Sequence, residues 1–166
     1  MVGYEGVVGA TLFFSERAIC NAVVQQAGYA YQLKAHCLRD AFNHGGTLPQ
    51  LLMRYTNALF AQMTQNTVSG FHSSIEQKLC RWLLERLDRS PSNELRVTQE
   101  MISVMLGVRR ESITAAAGKL KNEGLIEYHR GNITILDRKN MECLAGECYK
   151  VTKGEYDRLL TEVVGF

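Results

Sequence analysis

Apolar residues recur at spacings of three and four along two long stretches, and β-favouring residues cluster along shorter ones, so the chain separates into helical and strand-like parts. In LPQLLMRYTNALFAQMTQNTVSG, Leu48, Leu52, Tyr55, Leu59 and Met63 form one apolar stripe, which Leu51, Ala58 and Phe60 widen. Thr47 is the expected cap of this helix, and Pro49 suits its first turn. A helix that is apolar on more than one side needs two partners, either both within its own chain or one of them a second copy. Phe71 to Arg89 is a second strong helix, with Ser73 or Ser74 as cap and Ile75, Leu79, Trp82, Leu83 and Leu87 on its core face. Gly70 between the two is a plausible hinge, and Ser90, Pro91, Ser92 and Asn93 end the second helix as a polar loop.

From Glu5 to Ala35 the segments EGVVG, AICNAVVQQA and GYAYQLKA are rich in Val, Ile and Tyr, with Gly28 placed as a turn, and are expected to be strands. Two or three strands do not make a stable sheet alone, so they require a covering layer or further strands. HCLRDAFNHGG is expected to be a short helix ended by Gly45 and Gly46.

The pattern with functional content begins at Thr98. Thr98 caps a short helix that runs to Leu106, Gly107 breaks it, and a second helix runs from about Arg109 to Glu123, with Gly124 supplying its left-handed end. Two short helices joined by a tight glycine turn, the second opening with polar residues, form the helix-turn-helix pattern. LIEYHRGNITILD follows as strand, turn, strand, with Arg130, Gly131 and Asn132 at the tip, which makes the motif a winged helix.

The chemistry needed at such a site explains these residue types. An arginine at the start of the second helix donates two hydrogen bonds to guanine O6 and N7, and a glutamate accepts from cytosine N4. Arg109, Arg110 and Glu111 occupy that window, and Ser112 is short enough to approach phosphate or a base edge. Thr114 is short enough to approach phosphate or a base edge. Thr98 and Gln99 are placed to donate to the DNA backbone beside free helix N–H groups. His129, Arg130 and Asn132 stand where a wing meets phosphate, whereas Lys119 and Lys121 are expected to snorkel on the solvent side.

Charge supports this region as the interface. The total is only +2, but residues 96 to 139 hold eight Lys/Arg against five Asp/Glu, and residues 140 to 166 hold three against five. At 46% hydrophobic residues a chain of 166 residues buries a real core, and no apolar run approaches the roughly 18 residues of a membrane span. A soluble cytoplasmic protein is expected. Cys20, Cys37, Cys80, Cys143 and Cys148 form no CxxC pair and no Cys/His grouping with zinc spacing; Cys143 and Cys148 are close enough to be weighed as a redox or metal pair, but isolated cysteines mostly behave as small hydrophobes. His36, His44, His72 and His129 are scattered without a carboxylate pair or nucleophile elbow, so no enzyme, metal or cofactor is expected.

The run VTQEMISVMLGVRRESITAAAGKLKNEGLIEYHRGNITILDR resembles the DNA-binding domain of the Crp/Fnr superfamily of bacterial transcription regulators, which carry a Thr/Gln/Glu helix, an LG turn, an R-E recognition start and a G-L-I before the wing. Upstream, EGVVGATLFF and AICNAVVQQAGYAYQLKAHCLRDAF resemble the second half of the family's cyclic-nucleotide-type β-roll, and the Leu48 helix sits where the family has its dimerisation helix. The resemblance implies an α+β architecture of partial β-roll strands, a long dimerisation helix and a C-terminal winged helix-turn-helix. Its divisions are a β-roll remnant at 1–47, the dimerisation helix at 48–70, the DNA-binding domain at 71–139 and a helical extension at 140–166.

The resemblance further implies a homodimeric, sequence-specific regulator that binds double-stranded DNA, dimerises through Leu48, Leu52, Tyr55, Leu59 and Met63, and has RNA polymerase as a further partner. Glu5 and Gly6 keep the place of the family's phosphate loop, but Ala18 and Ile19 follow Arg17 where nucleotide-binding members carry an Arg-Ser pair, so no cyclic nucleotide is expected; Arg110 and Glu111 match the family's base-reading pair, with Arg109 and Ser112 as phosphate contacts, whereas Ala115 stands where many members have a basic residue. The alternative is a small-molecule sensor or protein-interaction module whose winged helix does not bind DNA.

Overall fold

The computed structural model describes residues 1–9, 21–90 and 92–161. Seven helices and three strands are described: α1 (Ala35–Asn43), α2 (Thr47–His72), α3 (Ile75–Leu87), β1 (Glu94–Arg96), α4 (Gln99–Leu106), α5 (Arg110–Asn122), β2 (Ile126–His129), β3 (Asn132–Ile135), α6 (Arg138–Ala145) and α7 (Glu147–Thr161). The architecture is α+β, and its described strands form one antiparallel sheet in the order β1-β3-β2. The segments expected as strands before α1 contain none among residues 1–9 and 21–34. Lone strands gain nothing without a partner to take their N–H and C=O groups. The stretch from Ala10 to Cys20, including Ala18 and Ile19, lies outside the described residues.

Two compact units are present. The larger holds Ala61–Gly154 together with Met1, and the smaller holds the described residues of Val2–Phe60 and those from Glu155 onward. In the smaller unit Tyr55, Ala58 and Tyr156 form a compact apolar cluster, against which Val7 and Leu59 pack.

The expected apolar stripe of α2 is therefore largely used within the chain. Leu52 and Tyr55 are buried and Leu48 and Leu59 half-buried, while Met63 is 60% exposed. What α2 leaves to solvent is Met53 and Phe60 in the smaller unit, and Met63, Val68 and Phe71 in the larger. The helix runs through Gly70 and stops at His72, so the break between α2 and α3 falls two residues beyond the expected hinge.

Helix α3 is the axis of the larger unit. Ser74 caps it with a reciprocal box, accepting from the Gln77 N–H while the Gln77 side chain accepts from the Ser74 N–H. Every residue from Leu79 to Leu87 is buried. Leu79, Leu83, Leu84 and Leu87 belong to the main core, with Leu95 and Val97 from β1 and its end, Ile102, Ile113 and Leu120 from the helix pair, Ile126, Ile133 and Ile135 from the sheet, and Met141, Ala145 and Tyr149 from the C-terminal helices. Two buried polar members of α3 turn toward α2: Gln62 Nε2 donates to Glu85 Oε2 at 3.0 Å, and the Arg81 guanidinium donates to the Gln65 carbonyl at 3.2 Å. Burial pushes the Glu85 carboxyl above its usual range. Cys80 is one of the core hydrophobes, and burial pushes its thiol up to about 12.

The C-terminal helices are pinned to the end of α3 by a polar knot. Arg138 pairs with the Asp88 carboxylate and donates to Glu142 at 2.8 Å and to the Tyr149 hydroxyl at 3.0 Å, while Tyr149 itself donates to Asp88 Oδ2 at 3.0 Å. Tyr149 is 2% exposed, and burial with the adjacent Asp88 charge holds its phenol above the usual range. Tyr149→Phe leaves the ring in the core and removes both hydroxyl contacts. It is expected to lower stability by about 1–2 kcal/mol, read as a lower urea midpoint with an unchanged m-value.

Candidate nucleic-acid interface

Local sequence dictates the helix pair. Thr98 takes an extended conformation and its hydroxyl accepts from the Met101 N–H at 3.1 Å, which starts α4. Gly107 at φ 64° ends α4 in the left-handed conformation that a residue with a Cβ rarely adopts. Arg109 then opens α5 as an N-cap whose side chain is not used in capping. Ile113, Ala116, Ala117 and Leu120 bury the inner face of α5. Arg109, Arg110, Glu111, Thr114 and Ala115 are exposed, and Ser112 is half-buried.

The sheet organises a second group. Directly opposed residues of an antiparallel ladder share a face, so the register sets Leu95, Ile133 and Tyr128 in one row toward the core. On the outer face Arg96, Asn132 and His129 make a row across all three strands beside the wing tip. Glu94, Thr134 and Glu127 make the next row, farther from the tip. The outer face is thus basic and polar at its tip end and acidic behind it.

The tip lies against the start of α4. The Val97 N–H donates to the Gly131 carbonyl at 2.9 Å, and between them Arg96, Thr98, Met101, Arg130 and Asn132 line an open hollow of about 340 Å³. The side chains of Arg96, Arg130, Thr98 and Asn132 around one hollow are suited to a phosphate oxygen. Arg130 and Gly131 have φ of 46° and 83°, both positive, as a two-residue type I′ hairpin requires.

The structure thus brings together Thr98, Arg130 and Asn132 around the hollow, sets His129 in the row beside them, and joins Gln99 to Thr114 by a 2.8 Å hydrogen bond. Arg109, Arg110, Glu111 and Ser112 sit at the head of α5, where the Arg110 carbonyl also lies 3.1 Å from the Thr114 hydroxyl. Lys119, expected to snorkel, instead pairs with Glu76 of α3; this hydrogen bond, helped by the Glu76 N–H and by Ser74, holds the Glu76 carboxyl down to about 2. Arg96 was missed by the sequence reading, which left Glu94 to Val97 without an element. The alternation of exposed Glu94 and Arg96 with buried Leu95 and Val97 is the signal that finds it. None of the described helices is long and apolar enough to cross a membrane.

The three-stranded sheet, the helix pair and the wing define a winged helix-turn-helix protein. Residues 77–144 match the sequence model of the Crp-like helix-turn-helix domain, and that part of the chain is such a domain. Among solved structures it is similar to a protein of the Crp/Fnr family from Eubacterium rectale, at 30% identity over 68% of this chain and 52% of that one, with a TM-score of 0.50. It shares the fold of a CRP-family transcriptional regulator from Thermus thermophilus, at 22% identity over 60% of this chain and 52% of that one, also with a TM-score of 0.50. The chain spans about half the length of these two relatives. A comparison with curated proteins finds no match.

The wing tip supplies a test. Asparagine tolerates positive φ better than arginine, so Arg130→Asn is expected to stabilise the domain by a few tenths to about 1 kcal/mol. Thermal unfolding of the variant checks the sign; a loss of stability refutes this view of the tip.

Proposed function

We propose that this protein is a sequence-specific, DNA-binding transcription regulator that works as a homodimer. The observation that carries the reading is the head of α5: three charged residues, Arg109, Arg110 and Glu111, are exposed to solvent at the start of a helix whose other face is locked into the core. In this reading α5 enters the major groove, with Arg110 donating to guanine and Glu111 accepting from cytosine. Arg109 and Ser112 take phosphates of the same groove. The hollow between Thr98, Arg96, Arg130 and Asn132 takes a phosphate of the flanking backbone, with His129 beside it. The acidic row of Glu94 and Glu127 lies behind it on the same face, away from the tip, and orients the wing by repulsion.

A second copy doubles the half-site, and the exposed apolar residues of α2 support that assembly. Met53 and Phe60 in the smaller unit, and Met63 and Phe71 in the larger, are each at least 60% exposed. Two copies joined there read half-sites about one helical turn, roughly 34 Å, apart. RNA polymerase is the further partner of such a regulator when it is bound at a promoter.

Selection of bound duplexes from a random pool, followed by anisotropy titrations, tests the DNA reading. Arg110→Ala and Glu111→Ala are each expected to lose about 1–3 kcal/mol on the selected duplex and to relax the choice of one base pair. Unchanged affinity and selectivity in both variants would remove these residues from the reading role. For the dimer, sedimentation of Phe60→Asp is expected to show monomer at concentrations where the parent is dimeric; dimers of unchanged stability place the contact elsewhere.

A further inference from the structure

Thr114 occupies the exposed face of α5, one turn after Arg110, where a residue that reads DNA would stand. Its hydroxyl has a single hydrogen to give. Inside a helix a threonine ordinarily spends it on the carbonyl four residues back, and the Arg110 carbonyl oxygen lies 3.1 Å away. Gln99 Oε1 lies closer, at 2.8 Å, reaching across from the first turn of α4. The hydrogen bond therefore runs between the two helices, and it determines what Gln99 presents. A carboxamide has one acceptor oxygen and two N–H donors on its nitrogen. With the oxygen held against Thr114, the Nε2 hydrogens are the part of Gln99 left for a ligand.

We infer that Thr114 is a positioning residue rather than a reader of bases: it holds the Gln99 carboxamide in the orientation that donates from Nε2 to a DNA phosphate. A freely rotating glutamine presents its oxygen to the phosphate as readily as its nitrogen, and the oxygen is repelled. The clasp removes that orientation. Gln99 follows Thr98 in the chain, so the phosphate it serves neighbours the one in the hollow between α4 and the wing. The inference rests on the DNA-binding reading of α5 and assigns Thr114 a role distinct from those of Arg110 and Glu111.

The test uses the full chain and two duplexes, one selected for tight binding and one scrambled, titrated across a salt series. Gln99→Ala and Thr114→Val are each expected to weaken both duplexes by about tenfold, without altering which base pairs are preferred. The double variant is expected to be no weaker than either single, because both changes delete the same contact. Thr114→Ser, which keeps the hydroxyl, restores affinity to within about twofold. Gln99→Glu, which still accepts from Thr114 but brings a carboxylate to the phosphate, loses more than Gln99→Ala.

Since glutamine is neutral, the slope of log affinity against log salt stays as in the parent, whereas Arg109→Ala lowers it by about one. Additive losses in the double variant, or a Thr114→Val change confined to one base pair of the selected duplex, overturn the inference and make Thr114 a reader in its own right. If the parent chain binds neither duplex, the DNA-binding reading itself fails and the role of Thr114 fails with it.

Discussion

Nine consecutive buried residues on α3, from Leu79 to Leu87, impose the condition that the rest of the larger unit satisfies. A helix enclosed on all sides must be met from every direction by something whose polarity matches the face it covers. Leucines meet β1, α5 and α6; Arg81 and Glu85 meet the carbonyl and carboxamide groups of α2. The helix-turn-helix is therefore built around α3, and the angle at which α5 is offered to solvent follows from how Leu79, Leu83 and Ile113 share one core. Buried charges on α3 are costly to leave unpaired, so the α2 contact is held in register by polar partners rather than by apolar filling.

Much of this was legible in the sequence where local chemistry and packing point the same way. Thr98, Gly107, Arg109 and Gly124 mark the bounds of α4 and α5 within a residue, because caps and left-handed ends are decided by the residue itself. The wing was equally legible from Arg130-Gly131. Less was legible where tertiary pairing decides. Strand β1 is three residues long and exists because β3 offers it an edge. The β-favouring stretch Ala27–Lys34 has no such edge among the described residues and is not a strand. Which side of α2 faces outward was also beyond the pattern, since Tyr55 and Met63 read alike in sequence and differ only in what covers them.

The interface residues divide on the same principle. Charge and position along the motif single out Arg109, Arg110 and Glu111. Side-chain ties cannot be read from spacing: Thr114 and Gln99 are fifteen residues apart, Lys119 and Glu76 forty-three, and each pair meets only because three helices pack on one core. Thr114 and Lys119, both on α5 beyond Glu111, are thus committed to the protein before any ligand arrives.

Arg130 carries a last consequence. It is the only described residue other than glycine with a positive φ, at the tip of a hairpin whose turn favours Asn-Gly over Arg-Gly. The domain therefore keeps a less comfortable backbone where an easier residue was available to it. A fold selected for rigidity alone would have relaxed that tip. Under the proposed function, that strain is what the tip gives up to set a cation beside the DNA backbone.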